Sequence, residues 1–506
     1  MTIIPVILSA VFLYLSFPNI FFLFGLWPCA WFFAVPLFYS LSGKSLKERI
    51  FIGTIFSFSF YPILVSWFIP YSFAGYLCFV LFLAIQPVLF CVLYPFAVSE
   101  KVKLLYVPSL WVASEYVRGL LMAGFSWNLG HSQSFNIPVI QFADLFGGWG
   151  VSFVLIFVNF CLYRVLTKKK QAIYIAAIVG VVGLVLSYGA LTLAGEGKVK
   201  HLGTKVLAVQ PNIDSHQKLD LKNVHSIIQQ QLALTHKGLE RIQPDLIVWP
   251  ETAVPVDYRL FPSVKKRVFQ LAQQSQARLL VGAALEDGEN FYNSAVLFEP
   301  EGKARNVYYK QQLVPFSEFL PDYSWARFLQ KVMKIKTVNF TAGEKGDVFS
   351  WQGRDGQVHK GGVAICSEDL IGEVFRSYVK QGAQWVVVLL NDGWFKEDRA
   401  LVMHAQNAIV HAVENRIPVL RVANTGWSCL IHPSGKIEPS FLKQQPIFNK
   451  EDVFVYHLPV KLRTSLYDLL GDIFCGLCVA FVIIIFILLV IKNTFNKKPV
   501  NCCGGE

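Results

Sequence analysis

Three reactive side chains in the second half of the chain have the chemistry of a nucleophilic site. Glu251, Lys310 and Cys366 each come at the end of an apolar, β-type run, in the segments LIVWPET, NVYYKQQLVPFSEF and GGVAICSED. A carboxylate can take the proton of a thiol, and an ammonium group can stabilise the oxyanion formed when sulfur attacks a carbonyl. The types and positions of these residues therefore predict a cysteine nucleophile with a glutamate base.

The surroundings of Cys366 favour a nucleophile over a buried structural thiol. A lone cysteine at a strand end is in general more often a small core residue. Here the strand ends in C-S-E-D and passes into a helical pattern. A thiol at a helix N-terminus has its thiolate stabilised by the helix dipole, and backbone N–H groups such as that of Ser367 can hold an oxyanion.

The base is predicted to be a glutamate because no histidine lies in a strand-end motif. His404 and His411 fall in a helical stretch and are expected to be surface or packing residues. Pro250 is expected to stop its strand, so that the Glu251 carboxylate emerges at the sheet edge. Glu318, eight residues after the lysine, and Glu368, in the helix after the nucleophile, are candidates to hold the lysine or the base in place.

The elements that must position these residues divide into a membrane part and an α/β part. Apolar residues make up 54% of the 506 residues and charged residues only 16%, which is typical of a membrane protein. Eight apolar runs approach spanning length. They are 4–17, 19–40, 51–69, 72–97, 105–121, 148–166, 172–194 and 470–491.

Charge in the loops predicts the orientation of these spans. Lysine and arginine follow the second, fourth, sixth and eighth runs, and the loops after the first, third and fifth runs have neither. The positive-inside rule then places both termini in the cytoplasm and the α/β part outside it. We expect four parts: a transmembrane domain of about seven spans at 1–194, a periplasmic catalytic domain at 195–469, a transmembrane helix at 470–491 and a cytoplasmic tail at 492–506.

The net charge of +12 is thus explained by topology, and no basic, aromatic patch on the α/β part indicates nucleic-acid binding. Within 204–460, apolar strands alternate with amphipathic helices at about 220–241, 262–276, 369–381 and 398–415. Hairpin-like strands at 278–285, 293–299 and 304–309 make the sheet mixed. The predicted strands are Lys205–Gln210, Asp245–Trp249, Arg278–Leu285, Ser294–Phe298, Gly362–Cys366, Trp385–Leu390 and Val419–Ala423.

The order and spacing of the glutamate, lysine and cysteine resemble the nitrilase superfamily. The segments Y-N-S-A-V-L-F at 292–298 and N-D-G-W-F at 391–395 extend that resemblance. Together with the flanking spans, G-F-S-W at 124–127 and the nearby H-S-Q, the whole chain is similar to the bacterial apolipoprotein N-acyltransferase family. The resemblance implies a helical membrane domain joined to an α/β/β/α sandwich with mixed sheets, with no cofactor and no metal.

The resemblance also implies a two-stage acyl transfer at the periplasmic face of the bacterial inner membrane. Cys366 would take an acyl chain from a phospholipid, typically phosphatidylethanolamine, and pass it to the α-amine of a diacylglyceryl-modified cysteine on an apolipoprotein. Glu251 would be base and then acid, Lys310 would stabilise the intermediates, and Glu318 and Glu368 match positions important in the family. We expect the chain to act as a monomer.

Two positions depart from the family pattern. Many members have a tyrosine after the nucleophile, where this chain has Ser367, and many have a tryptophan after the first strand, where this chain has Leu219. Neither change removes a group that does chemistry. We expect these two departures to change contacts with the substrate rather than the chemical steps.

A basic amphipathic stretch follows Glu318. Apolar side chains recur there at helical spacing, with four cations interleaved, which suits an interfacial helix at anionic headgroups. Two interpretations fit this stretch equally well: a gate for an acyl chain, and a helix packed on the catalytic domain. The gate residues would be Trp325, Phe328, Leu329 and Met333.

Two other functions are compatible with parts of the sequence. A transporter would place ionisable groups in mid-span, and only Glu115, Arg118 and Asp144 lie in or near such positions. A membrane-tethered amidase acting on a small soluble substrate would use the same three reactive groups, but it needs only an anchor. About seven preceding spans exceed that need.

Overall fold

The computed structural model describes residues 3–94, 99–122, 124, 127–168, 171–195, 201–333, 337–344, 346–353, 356–438, 448–459 and 463–495. Each of the eight predicted apolar runs contains helix, although the second begins with a 3₁₀ turn at Trp27–Trp31. The helices of this first part are α1 (Ile3–Ser16), α2 (Ala34–Leu41), α3 (Leu46–Leu64), α4 (Phe73–Leu93), α5 (Glu100–Leu121), α6 (Ile137–Ile140), α7 (Ala143–Thr167) and α8 (Gln171–Gly195).

Length and composition single out four helices that are able to cross a membrane within the residues just given. They are Phe73–Leu93, Ala143–Thr167, Gln171–Gly195 and Ile473–Ile491. Two of them, α8 and the C-terminal helix, expose most of their apolar side chains, whereas most of α7 is buried among its neighbours. Apolar exposure of this extent on long helices is what a lipid-facing surface requires.

The second part of the chain contains two six-stranded sheets. One has the strand order β12-β1-β2-β3-β4-β5 and the other β11-β10-β9-β8-β7-β6. The first sheet consists of β1 (His201–Gln210), β2 (Leu246–Val254), β3 (Arg278–Asp287), β4 (Asn290–Phe298), β5 (Ala304–Tyr309) and β12 (Asp452–Pro459). The second consists of β6 (Phe349–Gln352), β7 (Val358–Ile365), β8 (Trp385–Leu390), β9 (Val419–Ala423), β10 (Cys429–Ile431) and β11 (Ile437–Glu438).

Each sheet has a parallel centre and antiparallel edges. Strands β1, β2 and β3 run parallel, as do β7, β8 and β9, while β12, β4, β5, β6, β10 and β11 pair antiparallel with their neighbours. The remaining helices are α9 (Val224–Leu239), α10 (Pro262–Ser275), α11 (Ser324–Met333), α12 (Gly372–Lys380), α13 (Asp398–Glu414), α14 (Leu466–Leu470) and α15 (Ile473–Phe495).

Apolar side chains are buried between the two sheets and also between each sheet and the helices that cover it. Val248 and Leu297 of the first sheet share one core with Val363 and Val387 of the second. The opposite face of the first sheet packs against α9 and α10 in a separate core. Helices α12 and α13 cover the other sheet, so the layers follow the order α/β/β/α and the predicted mixed-sheet sandwich is confirmed.

Helix α13 joins the α/β domain to the helical domain. The N–H of Gly148 in α7 donates to Glu414 Oε1 at 2.8 Å, and Gln406 Nε2 donates to the carbonyl of His131 at 3.1 Å. Arg416, just after α13, is fully buried and pairs with Asp144 at 2.7 Å. A buried ion pair of this kind fixes orientation because either charge alone would be costly to bury.

The seven strands named above and the hairpin-like strand predicted at 304–309 are all present, and four strands were missed. The missed strands are the short edge strands β6, β10 and β11, and β12, which returns from the end of the domain to pair with β1. The four predicted helices correspond to α9, α10, α12 and α13.

Candidate active site

Glu251 lies inside a strand rather than beyond its end. The expectation that Pro250 stops the strand is wrong, because β2 continues to Val254 with a register shift against β3 after Trp249. The irregularity is accommodated by Gly282 of β3, where a Cβ atom would lie 2.2 Å from the carbonyl oxygen of Pro250. Glycine at that position lets the backbone of β3 approach Pro250 and Glu251 closely.

Cys366 follows β7 in a strained backbone conformation. Its φ is +51°, a left-handed value that non-glycine residues adopt rarely. The residue begins a five-residue 3₁₀ turn, Cys366–Leu370, and the α-helix starts only at Gly372. The turn directs a half-buried thiol toward the groups on the facing sheet.

The pKa of the Cys366 thiol is raised well above its usual value. Burial is the largest cause, and the neighbouring Glu251 carboxylate adds to it, while Lys310 acts in the opposite direction. The stabilisation of the thiolate that was expected from a helix N-terminus is outweighed by this burial, and the segment that begins at Cys366 is a 3₁₀ turn rather than an α-helix. A thiol whose proton must be removed during attack fits general-base catalysis better than a preformed thiolate.

Lys310 is buried and held by Glu318 rather than by Glu251. Its Nζ lies 2.9 Å from Glu318 Oε1 and 2.8 Å from Oε2. Burial alone would lower the pKa of Lys310, but Glu318, with Cys366 and Glu251, outweighs burial and raises it. The lysine therefore stays charged, as an oxyanion-stabilising group must.

Asn293 links the two glutamates at the site. Its Nδ2 donates to Glu251 Oε1 at 2.7 Å and lies 3.3 Å from Glu318 Oε1. The N–H of Val314 donates to Glu318 Oε2 at 2.9 Å, so the carboxylate that holds the lysine is itself fixed by backbone. Sequence reasoning missed Asn293, although it lies in the Y-N-S segment.

The environment of Glu251 favours its neutral form more than water would. Burial is the main cause of its raised pKa, Lys310 opposes the shift and Glu318 adds to it. A second buried amine, Lys218, donates from Nζ to the Glu251 carbonyl oxygen at 3.0 Å. Burial lowers the pKa of Lys218 to about 7, against the opposing effect of Glu251. Sequence reasoning also missed Lys218, which lies one residue before the departure at Leu219.

Glu368 positions the backbone on both sides of the site. It is fully buried and accepts hydrogen bonds from the N–H groups of Gln311 at 2.7 Å and Ile365 at 2.7 Å, and from the Tyr308 hydroxyl at 2.8 Å. One carboxylate thus ties the residue after Lys310 to the residue before Cys366. Glu368 was expected to hold the lysine or the base in place, and these hydrogen bonds go instead to the backbone beside Lys310 and Cys366, so its role in the site stays a prediction.

A buried charge network lies behind the nucleophile. His404 Nε2 is 2.5 Å from Asp369 Oδ1, and its Nδ1 is 2.8 Å from Asp392 Oδ1. Arg421 pairs with Asp369 and lies 3.7 Å from Asp392. Burial alone would lower the pKa of His404, but the two aspartates outweigh it and raise the value to about 9. His404 was expected to be a surface or a packing residue, and it is a packing residue. It also neutralises carboxylates close to Cys366.

The rim of the site contacts the helical domain through aromatic rings. The ring of Trp67 lies 4.9 Å from that of Phe395, and Tyr71 lies 6.1 Å from Trp394. The Tyr71 hydroxyl donates to Ser317 Oγ at 2.7 Å, one residue before Glu318. The N-D-G-W-F segment thus carries both an aspartate of the buried network and two aromatic residues of the rim.

The structure describes only two of the five remaining predicted site residues in full, Ser367 and Phe328. The Ser367 hydroxyl is buried and has no hydrogen-bond partner in the described part of the chain. Phe328 of α11 is 66% exposed, whereas the side chains of Trp325, Leu329 and Met333 lie outside what the structure describes. No group of three or more His, Cys, Asp or Glu residues suited to a metal ion occurs within the described ranges.

Two family models match the chain in the order that this architecture suggests. Residues 9–161 match the apolipoprotein N-acyltransferase N-terminal domain, and residues 205–458 match carbon-nitrogen hydrolase. A relative from Geobacter metallireducens, named apolipoprotein N-acyltransferase, is 30% identical over 94% of this chain and 92% of its own length. The chain belongs to the apolipoprotein N-acyltransferase family.

Further relatives extend this membership. Apolipoprotein N-acyltransferase 1 of Treponema denticola is 27% identical over 97% of this chain and 96% of its own length. Among solved structures, an amidase from Nesterenkonia sp. is 18% identical, with a TM-score of 0.37, over 52% of this chain and 94% of its own. A carbon-nitrogen hydrolase from Helicobacter pylori has the same identity and TM-score, over 50% of this chain and 87% of its own.

The family assignment confirms the resemblance noted in the sequence. The chain is an acyltransferase of the nitrilase superfamily, and the amidase alternative is not favoured, because the matched relatives share the membrane part as well as the hydrolase part. Its apolar helices are compatible with a membrane protein.

Proposed function

We propose that this protein moves a fatty acyl chain from a phospholipid, through a thioester on Cys366, to the α-amine of an S-diacylglyceryl-cysteine at the N-terminus of an apolipoprotein. The observation that carries the proposal is the glutamate–lysine–cysteine site of a carbon-nitrogen hydrolase domain, which opens beside a helical domain matched to the family's N-terminal domain. Such a site meets lipid at its rim, and a soluble hydrolase has no such neighbour.

In the first half-reaction, Glu251 takes the thiol proton as the sulfur attacks the ester carbonyl of the phospholipid. Lys310 stabilises the tetrahedral oxyanion, for which it is already charged and held by Glu318. The C–O bond then breaks, Glu251 returns its proton to the leaving oxygen, and a lysophospholipid departs. Phosphatidylethanolamine is the proposed donor.

In the second half-reaction, the amine of the modified cysteine attacks the thioester. Glu251 takes a proton from the amine, Lys310 again stabilises the oxyanion, and the C–S bond breaks to give an amide. The proton held by Glu251 returns to the sulfur, which restores the resting thiol. The raised pKa of Glu251 suits a group that must both take and give a proton near neutral pH.

Glu318, Glu368 and Ser367 have supporting roles in this proposal. Glu318 keeps Lys310 charged without occupying the base, and Glu368 fixes the turn of the nucleophile. The unpartnered Ser367 hydroxyl is available to a substrate oxygen in the position where many relatives have tyrosine. The proposed lipid gate comprises Trp325, Phe328, Leu329 and Met333, and the exposure of Phe328 supports it.

We further propose the membrane arrangement expected from the loop charges. Residues 1–194 form about seven spans of the bacterial inner membrane, 195–469 the periplasmic catalytic domain, 470–491 a final span, and 492–506 a cytoplasmic tail. The alternation of positive loops supports this arrangement. The monomeric state remains part of the proposal.

A reconstituted transfer assay tests the proposed function. The purified full-length protein is incubated with phosphatidylethanolamine and a diacylglyceryl-cysteinyl lipopeptide, and the products are weighed by mass spectrometry. We expect one acyl chain on the lipopeptide and an equal amount of lysophospholipid, with neither product from Cys366→Ala. Hydrolysis of small amides without any acylated lipopeptide would instead support the tethered amidase.

A further inference from the structure

A polar cavity lies at the end of the helical domain that faces away from the catalytic domain. It has a volume of about 400 Å³ and is formed where α2, α3, α4, α5 and α7 end or begin. Its lining includes Leu41, Lys44, Arg49, Tyr94, Lys103, Phe160, Tyr163 and Arg164. Four of these residues are cations and none is a carboxylate.

The cavity is distant from the active site. Helix α7 contacts the catalytic domain at Gly148, and Arg164 follows sixteen residues later on the same helix. At a rise of ~1.5 Å per residue the two ends of this stretch are about 24 Å apart, close to the hydrocarbon thickness of a membrane. A ligand in this cavity therefore lies in the opposite leaflet from the chemistry, and it is not the acyl donor.

The charges that line the cavity are only partly neutralised. Glu48 pairs with Lys44 at 2.9 Å, and Glu100 pairs with Lys103 at 3.2 Å and also with Arg164. Two positive charges remain in excess of these carboxylates, and both carboxylates lie outside the lining. The cavity thus attracts an anion.

Arg164 supplies a donor that no group among the described residues accepts. Its side chain is 7% exposed, and its Nε has no hydrogen-bond partner in the described part of the chain. A buried guanidinium N–H without an acceptor is costly, and a phosphoryl oxygen is an acceptor that its planar fork suits, as a carboxylate is. Arg49 is fixed beside it, because its Nη1 donates to the Tyr94 carbonyl at 2.7 Å and its Nε to that of Lys44 at 2.9 Å.

The walls of the cavity distinguish a lipid from a free anion. Leu41, Phe160 and Tyr163 contribute apolar and aromatic surface, which inorganic phosphate would not need. Leu105, two residues after Lys103, is 52% exposed on the same helix and would meet acyl chains. Basic pockets between helices at this membrane depth are typical sites for lipid headgroups.

We propose that this cavity binds the phosphoryl headgroup of an anionic phospholipid in the leaflet opposite the catalytic domain. The lipid stabilises the helix ends by accepting from Arg164 and by pairing with Lys44 and Lys103. The cavity is about 24 Å from the catalytic domain. Loss of the bound lipid therefore destabilises the helical domain without removing any group that takes part in the reaction.

The test compares two double variants of the full-length protein in a zwitterionic detergent. Lys44→Gln with Lys103→Gln removes two lining cations. Lys47→Gln with Lys101→Gln removes two exposed cations close by in the sequence, with the same change in net charge. Native mass spectrometry measures binding of phosphatidylglycerol and phosphatidylcholine, and thermal unfolding is followed with each lipid and with inorganic phosphate at equal ionic strength.

We expect phosphatidylglycerol to bind and raise the melting temperature, and the first variant to bind it about 30-fold more weakly while the second binds like wild type. Equal losses in both variants, equal binding of the two lipids, or stabilisation by inorganic phosphate alone would overturn the proposal. If the first variant does not fold, Lys103→Gln compared with Lys101→Gln gives the same contrast with one charge. Equal binding of phosphatidylglycerol and phosphatidylcholine by wild type would overturn the proposal without any variant.

Discussion

Replacing Glu318 with glutamine tests how the two glutamates divide their roles. The substitution keeps the size of the side chain and removes the charge that lies 2.8 Å from Lys310 Nζ. At an effective dielectric constant of about 20, that contact is worth about 6 kcal/mol of direct attraction. After the cost of burying both charges, breaking a buried pair costs about 3–5 kcal/mol.

The lysine must then find another counter-charge, and Glu251 is the nearest candidate because Asn293 already holds both carboxylates. Pairing with Glu251 would draw the base away from Cys366 and misplace the group that stabilises the oxyanion. We expect the rate of Cys366 acylation to fall by about 10²–10³-fold, the loss typical of one oxyanion-stabilising contact.

The assay is the rate at which phospholipid adds an acyl-sized mass to the enzyme in a single turnover, measured across pH. In wild type the acid limb reflects Glu251, whose pKa is raised by burial and by Glu318. Removing the Glu318 charge lowers the pKa of Glu251, so the acid limb should move to lower pH as the maximal rate falls. A merely unstable variant would lose rate without moving that limb.

Glu289→Gln is the matched control, since Glu289 is an exposed glutamate in the turn between β3 and β4. It should acylate at the wild-type rate with an unshifted profile. Wild-type acylation by the Glu318 variant would refute the assigned role, as would a slow variant whose acid limb stays in place.

Three further variants probe other parts of the site. Glu251→Gln should lower the acylation rate by about 10²–10⁴-fold; wild-type acylation would assign the base elsewhere. The pKa of His404 in the folded protein is raised to about 9. Its contribution to the free energy of unfolding, about 3 kcal/mol, is therefore complete below the unfolded pKa of ~6.5 and is lost as the pH rises toward the folded pKa. The melting temperature of wild type should therefore fall between pH 7 and 10, and an equal fall in His404→Gln would point to another group. Tyr71→Phe removes the hydrogen bond to Ser317 and should slow acylation by up to about fivefold, roughly one hydrogen bond, with an unchanged melting temperature; a larger thermal effect would mean a structural role.

The central strands were predictable because they are apolar throughout and separated by amphipathic helices. Strand β8 has the sequence WVVVLL, and a run of six apolar residues such as this is typical of a fully buried strand. The edge strands carry no such signal: β11 has two residues, and β12 is defined by its pairing with β1, about 250 residues earlier in the chain. Pairing over such a distance leaves little trace in local sequence.

The glutamate, lysine and cysteine of the candidate site, together with the two supporting glutamates, could be proposed from motifs, but the other residues around them could not. Lys218, Asn293 and His404 act through contacts between distant segments, such as that from Lys218 Nζ to the Glu251 carbonyl. Pro250 misled the prediction for a related reason, because the close approach of Gly282 lets the strand continue through it. The pKa of the thiol depends on burial, which a single strand does not reveal.

The most direct test of the central claim is the intact mass of the purified protein after incubation with phospholipid. The proposed mechanism predicts a gain of one acyl chain that hydroxylamine removes and that Cys366→Ala never shows, with the mass restored when a diacylglyceryl lipopeptide is added. An acyl group that persists on Cys366→Ala, or turnover of phospholipid and lipopeptide with no hydroxylamine-sensitive intermediate, would contradict a thioester on Cys366.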